Sequence, residues 1–485
     1  MKTHKLIFTL LFLISGFYKS FAQPGTLDAS FGKAGIKTFS AKLNTSFDKV
    51  TAVVLDQAGN TLVCGTDSLN NTSTNTQGFA LRLLPNGTLD TSFAKGGKLR
   101  FDDLYQNWSF FPQSIATFND GSMVFAGYRA YAGTQYPTLI RLNKDGSRNI
   151  SFGSSASGYM DISSTNTTIT STAFLTSVQI STDQSLIFAS GATSSDASGN
   201  FLMAAVNSSN GTQASYGGSP DGTFSYDFGI VAPTYDEVKC SALFGDKLYL
   251  VGNSANTVIA IVVWNLTTGS LESTFKGGGR TTLAIGGTGA TINTAYAVSI
   301  SPQDTSINIA GSATVSGAYN TLLYKIDKTG TSLYSQVYLP FGASQSQSYT
   351  VTTDINNKIV MGGGANIGSN YLWTVMRVNP ADGSVDNSFG TSGVQTYSTI
   401  LSQSLDESIR GIECRSDGSY ILKGTVSSTG GNTDVLLKKV TLSGSPDLSY
   451  GTQSEAKNWV VDANTHVTNI LQRSDSKLWV VGDYN

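Results

Sequence analysis

The feature that most constrains this chain is a phrase that it repeats eight times. Each copy holds two short strands around a tight turn, and the second strand runs into a glycine. Copies read TAVVLDQAGNTLVCG at 51–65, SIATFNDGSMVFAG at 114–127, AVSISPQDTSINIAG at 297–311 and TVTTDINNKIVMGG at 350–363. The closing glycines, Gly65, Gly127, Gly191, Gly252, Gly311, Gly363, Gly424 and Gly482, lie 52 to 64 residues apart. A recurrence of this period marks a repeat architecture, in which one unit alone cannot bury a core.

A third strand with period-two alternation follows each of the first seven glycines, as in GFALRLL at 78–84 and YLWTVMRVN at 371–379. A second recurring phrase comes next: LDASFGKAG at 27–35, LDTSFAKGG at 89–97, LESTFKGGG at 271–279 and VDNSFGTSG at 385–393. Weaker copies are ASYGG at 214–218 and SLYSQVY at 332–338. A fourth strand closes each unit. Four antiparallel strands with no helix to cover them bury their faces by packing radially around an axis. The fold class read from this is all-β: a β-propeller of four-stranded blades, eight in number, with a seven-bladed ring as the alternative. The strand at 35–39 is expected to close the ring from the N-terminal side. The last blade is incomplete at Asn485, which reads as a chain that continues further.

The first 22 residues read as an export signal: Lys2 and Lys5, an apolar run from Leu6 to Phe17, and Ser20-Phe21-Ala22 at the cleavage position. The run is too short to span a bilayer, and no other run approaches the necessary length. Residues 23–485 then form a single propeller domain, secreted to the exterior or cell surface, with the periplasm as the alternative. The signal holds three lysines and no acid, so its removal takes the net charge from −2 to −5. A mildly acidic chain without a basic block argues against nucleic acid and anionic membrane as partners. Only 13% of residues are charged, against about 25% in an ordinary domain. Cys64, Cys240 and Cys414 fall in strands of different repeats and read as small buried apolar residues rather than a disulfide framework.

The phrases LDASFGKAGIKTF, LDTSFAKGGKLRF and VDNSFGTSGVQTY, spaced from NDGSMVFAG and RSDGSYILKG, resemble the bacterial delta-60 repeat. The resemblance spans nearly all of the chain after the signal. It implies an exported, propeller-like protein of a Gram-negative bacterium, and it supplies no catalytic residues. Relatives often add a C-terminal secretion domain, which is not visible here.

Most candidate ligands recur with the blades, and a residue repeated in every unit is architectural. Asp28, Asp90, Asp386 and Asp447, with Glu272 in the same place, read as turn residues that cap their own backbone. Arg82, Arg141 and Arg377 share one position in three third strands. Asn379-Pro380-Ala381-Asp382-Gly383 resembles a calcium loop but lacks the alternating oxygen ligands and distal Glu. No metal site and no cofactor are therefore expected. After the signal the sole histidine is His466, so any His-centred triad or metal site has only that residue to build on. Asp236, Glu237, Asp406 and Glu407 precede inner strands and supply the material for a carboxylate pair.

The strand 1–2 turns and the LDxSF segments are regular and share one face of a propeller. The strand 4–1 and 2–3 connections vary and share the other, where binding usually resides. The second unit is richest there. Its leading loop, 102–112, carries Tyr105, Trp108, Phe110 and Phe111. Its 2–3 loop, 128–137, carries Tyr128, Arg129, Tyr131 and Tyr136. Together they suggest an aromatic platform for a glycan or protein ligand; packing of the rings among themselves is the plainer reading. The sequence thus points to a monomeric, non-enzymatic binding propeller. An extracellular carbohydrate-active hydrolase with an acidic pair at the channel mouth, or an adhesin module of a longer cell-surface protein, are the alternatives.

Overall fold

The computed structural model describes residues 46–69, 76–84, 88–105, 108–154, 157–165, 168–194, 199–228, 235–255, 257–283, 290–368, 370–397, 408–415, 417–427, 433–447, 455–458, 465–472 and 478–484. The expected export signal and the strand expected at 35–39 lie outside them. Among the described residues the chain forms eight antiparallel sheets in chain order. Six have four strands, the fourth has five, and the last is the pair Thr465–Gln472 and Leu478–Tyr484. The one helix among the described residues, Phe101–Leu104, is a single turn. Among the described residues no helix is long and apolar enough to cross a membrane.

Each sheet runs in simple up-and-down order, and its first strand packs against the first strand of the next sheet. The series continues from Ser46–Leu55 to Thr465–Gln472, and these two strands also pack on each other. The first strands are therefore innermost.

Period-two alternation predicts half-buried strands. The middle strands are instead buried on both faces, because each sheet lies between two neighbours. In Val258–Asn265, Ile259, Ile261 and Val263 join one apolar cluster with Ile307, Ile309 and Leu322 of the fifth sheet. The alternate residues Ala260, Val262 and Trp264 join another with Phe201 and Met203 of the third. The core is thus a series of slabs, one per interface, and each fully buried aliphatic or aromatic side chain in them contributes about 1.5–3 kcal/mol. Cys64 is buried among them; burial pushes its thiol up to about 12, and Cys64, Cys240 and Cys414 form no disulfide.

The eight closing glycines have one physical cause. In every sheet the first strand carries a one-residue bulge immediately opposite that glycine: at Thr51 opposite Gly65, at Gln113 opposite Gly127, and so on to Thr468 opposite Gly482. The bulge turns a carbonyl of the first strand toward the glycine Cα. A Cβ on Gly127, Gly252 or Gly363 would sit 2.0, 1.8 or 1.8 Å from the carbonyl oxygen of Phe111, Glu237 or Gln347. Only glycine fits there.

The LDxSF phrase joins one sheet to the next. Asp90 accepts from Ser92 N and Oγ at 3.0 and 2.5 Å, the expected turn, and Asp386 accepts likewise from Ser388. Each also accepts from the third-strand arginine, Arg82 Nε at 2.8 Å and Arg377 Nε at 3.0 Å. The arginine then donates across the interface to a carbonyl of the following sheet's turn, Lys144 O for Arg82 and Leu442 O for Arg377. The phrase's aromatic ring fills the space under a glycine of that same turn. A Cβ on Gly146, Gly330 or Gly444 would lie 2.9, 2.9 or 2.8 Å from the ring of Phe93, Phe275 or Phe389. Tyr216 and Tyr334, in the two weakest copies, stand equally close beneath Gly269 and Gly383, at 3.1 and 2.6 Å. The residue after the phenylalanine adds a backbone bond, as Ala94 N to Asp145 O at 2.6 Å.

One copy departs from this pattern informatively. In the second sheet Asn149 stands where the phrase has Asp, and Arg141 Nε is buried without a partner. Asn149→Asp is therefore expected to stabilise the chain by about 1–3 kcal/mol through a charged hydrogen bond. A rise in melting temperature in calorimetry would show it; no rise would mean that the aspartate does not reach the guanidinium.

The fourth sheet gives a pH signature. Lys247 Nζ lies 2.5 Å from Glu272 Oε2, and with Thr274 it holds that carboxyl down to about 2 from its ordinary 4.5. A carboxyl depressed in the folded state stabilises fully above its unfolded value and loses that contribution as pH falls toward the folded one. Unfolding midpoints should hold steady above pH ~5 and drop between about 4.5 and 2, less steeply in Glu272→Gln. Identical acid limbs for the two chains would refute the assignment.

Candidate functional site

The second sheet departs from its sequence reading in a way that shapes the candidate platform. The segment expected as a leading loop, 102–112, is the short helix followed by the strand Ser109–Thr117. The segment expected as a 2–3 loop, 128–137, is a long hairpin of Met123–Tyr131 and Thr134–Leu142. Its two-residue turn, Ala132-Gly133, has φ of 49° and 82°, the twist that lets strands pair up to the tip. Pairing between the strands continues because the aromatic and β-branched residues here suit a pleated surface as well as a loop.

The hairpin register sets Arg129 between Phe110 on one side and Tyr136 on the other. Asp161, from the outer strand Tyr159–Asp161, grips the guanidinium with both oxygens, Nε to Oδ1 at 2.8 Å and Nη2 to Oδ2 at 2.5 Å, and also accepts from Thr138 Oγ1 at 2.7 Å. The Arg129 Cζ lies 3.9 Å from the Tyr136 ring centre and 5.7 Å from that of Trp108. Burial works against the charge, but the Asp161 contact outweighs it and holds Arg129 protonated more firmly than an ordinary arginine.

Trp108 stacks on Tyr105 at 4.4 Å, and Tyr159 meets both edge-on. Tyr105 is buried, donates to Ser157 O at 3.2 Å, and has its phenol pKa raised by that burial. Phe110 is fully buried against Phe101. Tyr128 stacks on Phe111 at 4.8 Å, apart from the Arg129 group. Tyr131, beside the hairpin turn, is 49% exposed. Of the seven residues singled out from sequence, Trp108, Arg129 and Tyr136 form one ordered group with Tyr105 beneath it. Phe110 faces the core, Tyr128 stands apart, and Tyr131 projects to solvent. Asp161 and Tyr159 were missed because they sit in a short fourth strand with no motif around them.

The acids considered for a hydrolytic pair divide. Asp236 is buried, and that burial raises its carboxyl pKa. Glu237 is bound to Lys239 at 2.6 Å. Asp406 and Glu407 lie outside the described residues. Among the described residues no group of three His, Cys, Asp or Glu side chains converges to hold a metal. An open cleft of about 490 Å³ lies where the first and second sheets meet, lined by Lys95, Lys98, Asp103 and Asp145 among others.

The comparisons with known proteins agree with the fold. Residues 59–93, 119–152 and 356–389 match the family described as "Domain of unknown function (DUF5122) beta-propeller". The matched segments run from a strand 1–2 turn through the LDxSF phrase, the part of the repeat that builds the sheet interfaces. No curated protein matches the sequence. Among solved structures, Sqt1 of Chaetomium thermophilum bound to the N-terminus of ribosomal protein L10 is similar over 90% of this chain and 96% of its own, at 10% identity and a TM-score of 0.50. Prolyl oligopeptidase B of Galerina marginata overlaps 90% of this chain and 55% of its own, at 10% identity and a TM-score of 0.43. Sheet order, interface pattern and family match together define a β-propeller repeat protein.

Proposed function

We propose that this chain is an exported, non-enzymatic propeller of eight blades, closed on itself, that binds a polysaccharide on the face carrying its strand 2–3 hairpins and 4–1 connections. The observation that carries the reading is the distribution of exposed rings. Three of the four exposed rings among the described residues lie on that face: Tyr131 and Tyr319 flank hairpin turns and Phe341 lies in a 4–1 connection, at 49%, 46% and 102% exposure, while Phe244, at 37%, ends a first strand on the opposite face. The opposite face is occupied by the LDxSF latches. Beside Tyr131, the Trp108–Arg129–Tyr136 group offers ring faces and polar tips already held in place, which lowers the ordering cost of a bound sugar.

Glycan-array binding of the full chain, repeated with Tyr131→Ala and Trp108→Ala, tests this. Binding that weakens in both variants supports the reading. Binding unchanged in both removes the platform, and hydrolysis of an array glycan would replace a binding role with a catalytic one.

A further inference from the structure

The bulge that dictates the closing glycines also places one extra residue of each innermost strand at the axis. On one arc, the first and third sheets carry threonine, which serves the scaffold: Thr51 Oγ1 donates to Pro112 O at 2.6 Å, and Thr176 Oγ1 donates to Val238 O at 3.1 Å, each in the neighbouring inner strand. The second sheet, between them, carries Gln113. On the other arc, four consecutive sheets carry Lys239, Tyr296, Tyr349 and Arg410 at the same point.

Three of these side chains touch from sheet to sheet. The rings of Tyr296 and Tyr349 lie 5.1 Å apart, tilted by 48°, and the Arg410 guanidinium sits over the Tyr349 ring at 3.9 Å. The Tyr349 hydroxyl is itself turned onto Gln347 Oε1. Arg410 and Lys239 are exposed. Lys239 has Glu237 at 2.6 Å, whereas Arg410 has no carboxylate partner among the described residues. Its planar face rests on an aromatic ring, and a guanidinium edge is the donor fork that pairs with a carboxylate in two-pronged fashion.

We infer that this axial arc, Tyr296–Tyr349–Arg410 with Lys239 at its far end, is a binding site for the carboxylates of an acidic glycan, a uronic acid oligomer. The inference rests on the polysaccharide reading above and adds a ligand class and a second site. Tyrosine faces stack sugar rings, and the cations at either end of the arc pair with carboxylates that neighbouring sugars carry. An extended peptide fits less well. The bulge breaks the row of backbone donors and acceptors on each inner strand, so no strand can be added along it.

The test is titration of the full chain with a galacturonate trimer by calorimetry, beside a neutral galactose trimer and a glutamate oligopeptide. The uronate is expected to bind, the neutral sugar to bind at least about tenfold more weakly, and added salt to weaken the uronate alone. Arg410→Gln should reduce uronate affinity by about tenfold or more, the loss of one charged hydrogen-bonding partner, and Tyr349→Leu should reduce it also. Because Arg410 is exposed, its variant should melt with the wild type. Uronate affinity equal in wild type and Arg410→Gln overturns the site. Array binding of neutral glycans with no uronate binding overturns the site but not the polysaccharide reading. Preference for the acidic peptide overturns both.

Discussion

Arg377→Ala is expected to destabilise the protein by about 3–5 kcal/mol, the cost of stripping a buried ion group of its cation. Arg377 is 4% exposed and serves two sheets at once. In its own sheet it binds Asp386, and its Nη2 donates to Ser388 Oγ at 2.9 Å. Toward the seventh sheet its Nη1 donates to Tyr420 Oη at 3.1 Å and to Leu442 O. The Tyr420 hydroxyl in turn donates a hydrogen bond to Asp354 Oδ2 at 2.7 Å, and that carboxylate lies 3.9 Å from Arg377. Alanine would leave Asp354 buried with no cation and Asp386 with only Lys358, 3.4 Å away. Lysine keeps the charge but cannot reach Asp386, Tyr420 and Leu442 together, so Arg377→Lys should fall between wild type and alanine. Denaturant and calorimetric unfolding of the three chains would measure this. A loss below about 1 kcal/mol for alanine would place the network among contacts of little weight.

Gly363→Ala is the second large effect, about 3 kcal/mol or more, from overpacking that no side-chain movement relieves. The new methyl would stand 1.8 Å from the Gln347 carbonyl oxygen and 2.8 Å from its carbon, and both atoms are backbone. Relief requires the bulge at Tyr349 to open, which would disturb the first strand at the axis. Gly278→Ala is the matched control: nothing lies within 4 Å of its Cβ position and it is exposed, so the change should be nearly neutral. Comparable losses at the two positions, read as melting temperatures, would show that backbone freedom rather than space is what glycine supplies.

The spacing of the closing glycines and of the LDxSF phrase made the repeated sheets legible, because both signals mark places where backbone geometry admits few residues. The reason for the glycine was not legible. A bulge is a property of two paired strands, and nothing in TVTTDINNKIVMGG marks Tyr349 as the extra residue. The latch was half visible. Asp386 and Phe389 stood out by repetition, but their partners Leu442 and Gly444 belong to the next sheet. The second-sheet hairpin was misread as a loop because Tyr128, Arg129 and Tyr136 serve equally well in either setting, and only pairing decides. Asp161, which orders Arg129, lies in a three-residue strand too short to leave a periodic signal. The axial arc was invisible for the same reason as the bulges that create it.

These observations divide the residues into two groups. Those that repeat hold sheet to sheet, and those that break the repeat, at the hairpins and along the axial arc, are the ones to which we assign binding. The most direct test of that division is a double-mutant cycle across the sixth and seventh sheets, with Arg377→Met and Tyr420→Phe measured singly and together by equilibrium unfolding. The account predicts a coupling of about 1–3 kcal/mol between the two positions, with the exposed Arg410→Gln adding independently to either. Strict additivity of Arg377→Met and Tyr420→Phe would contradict it.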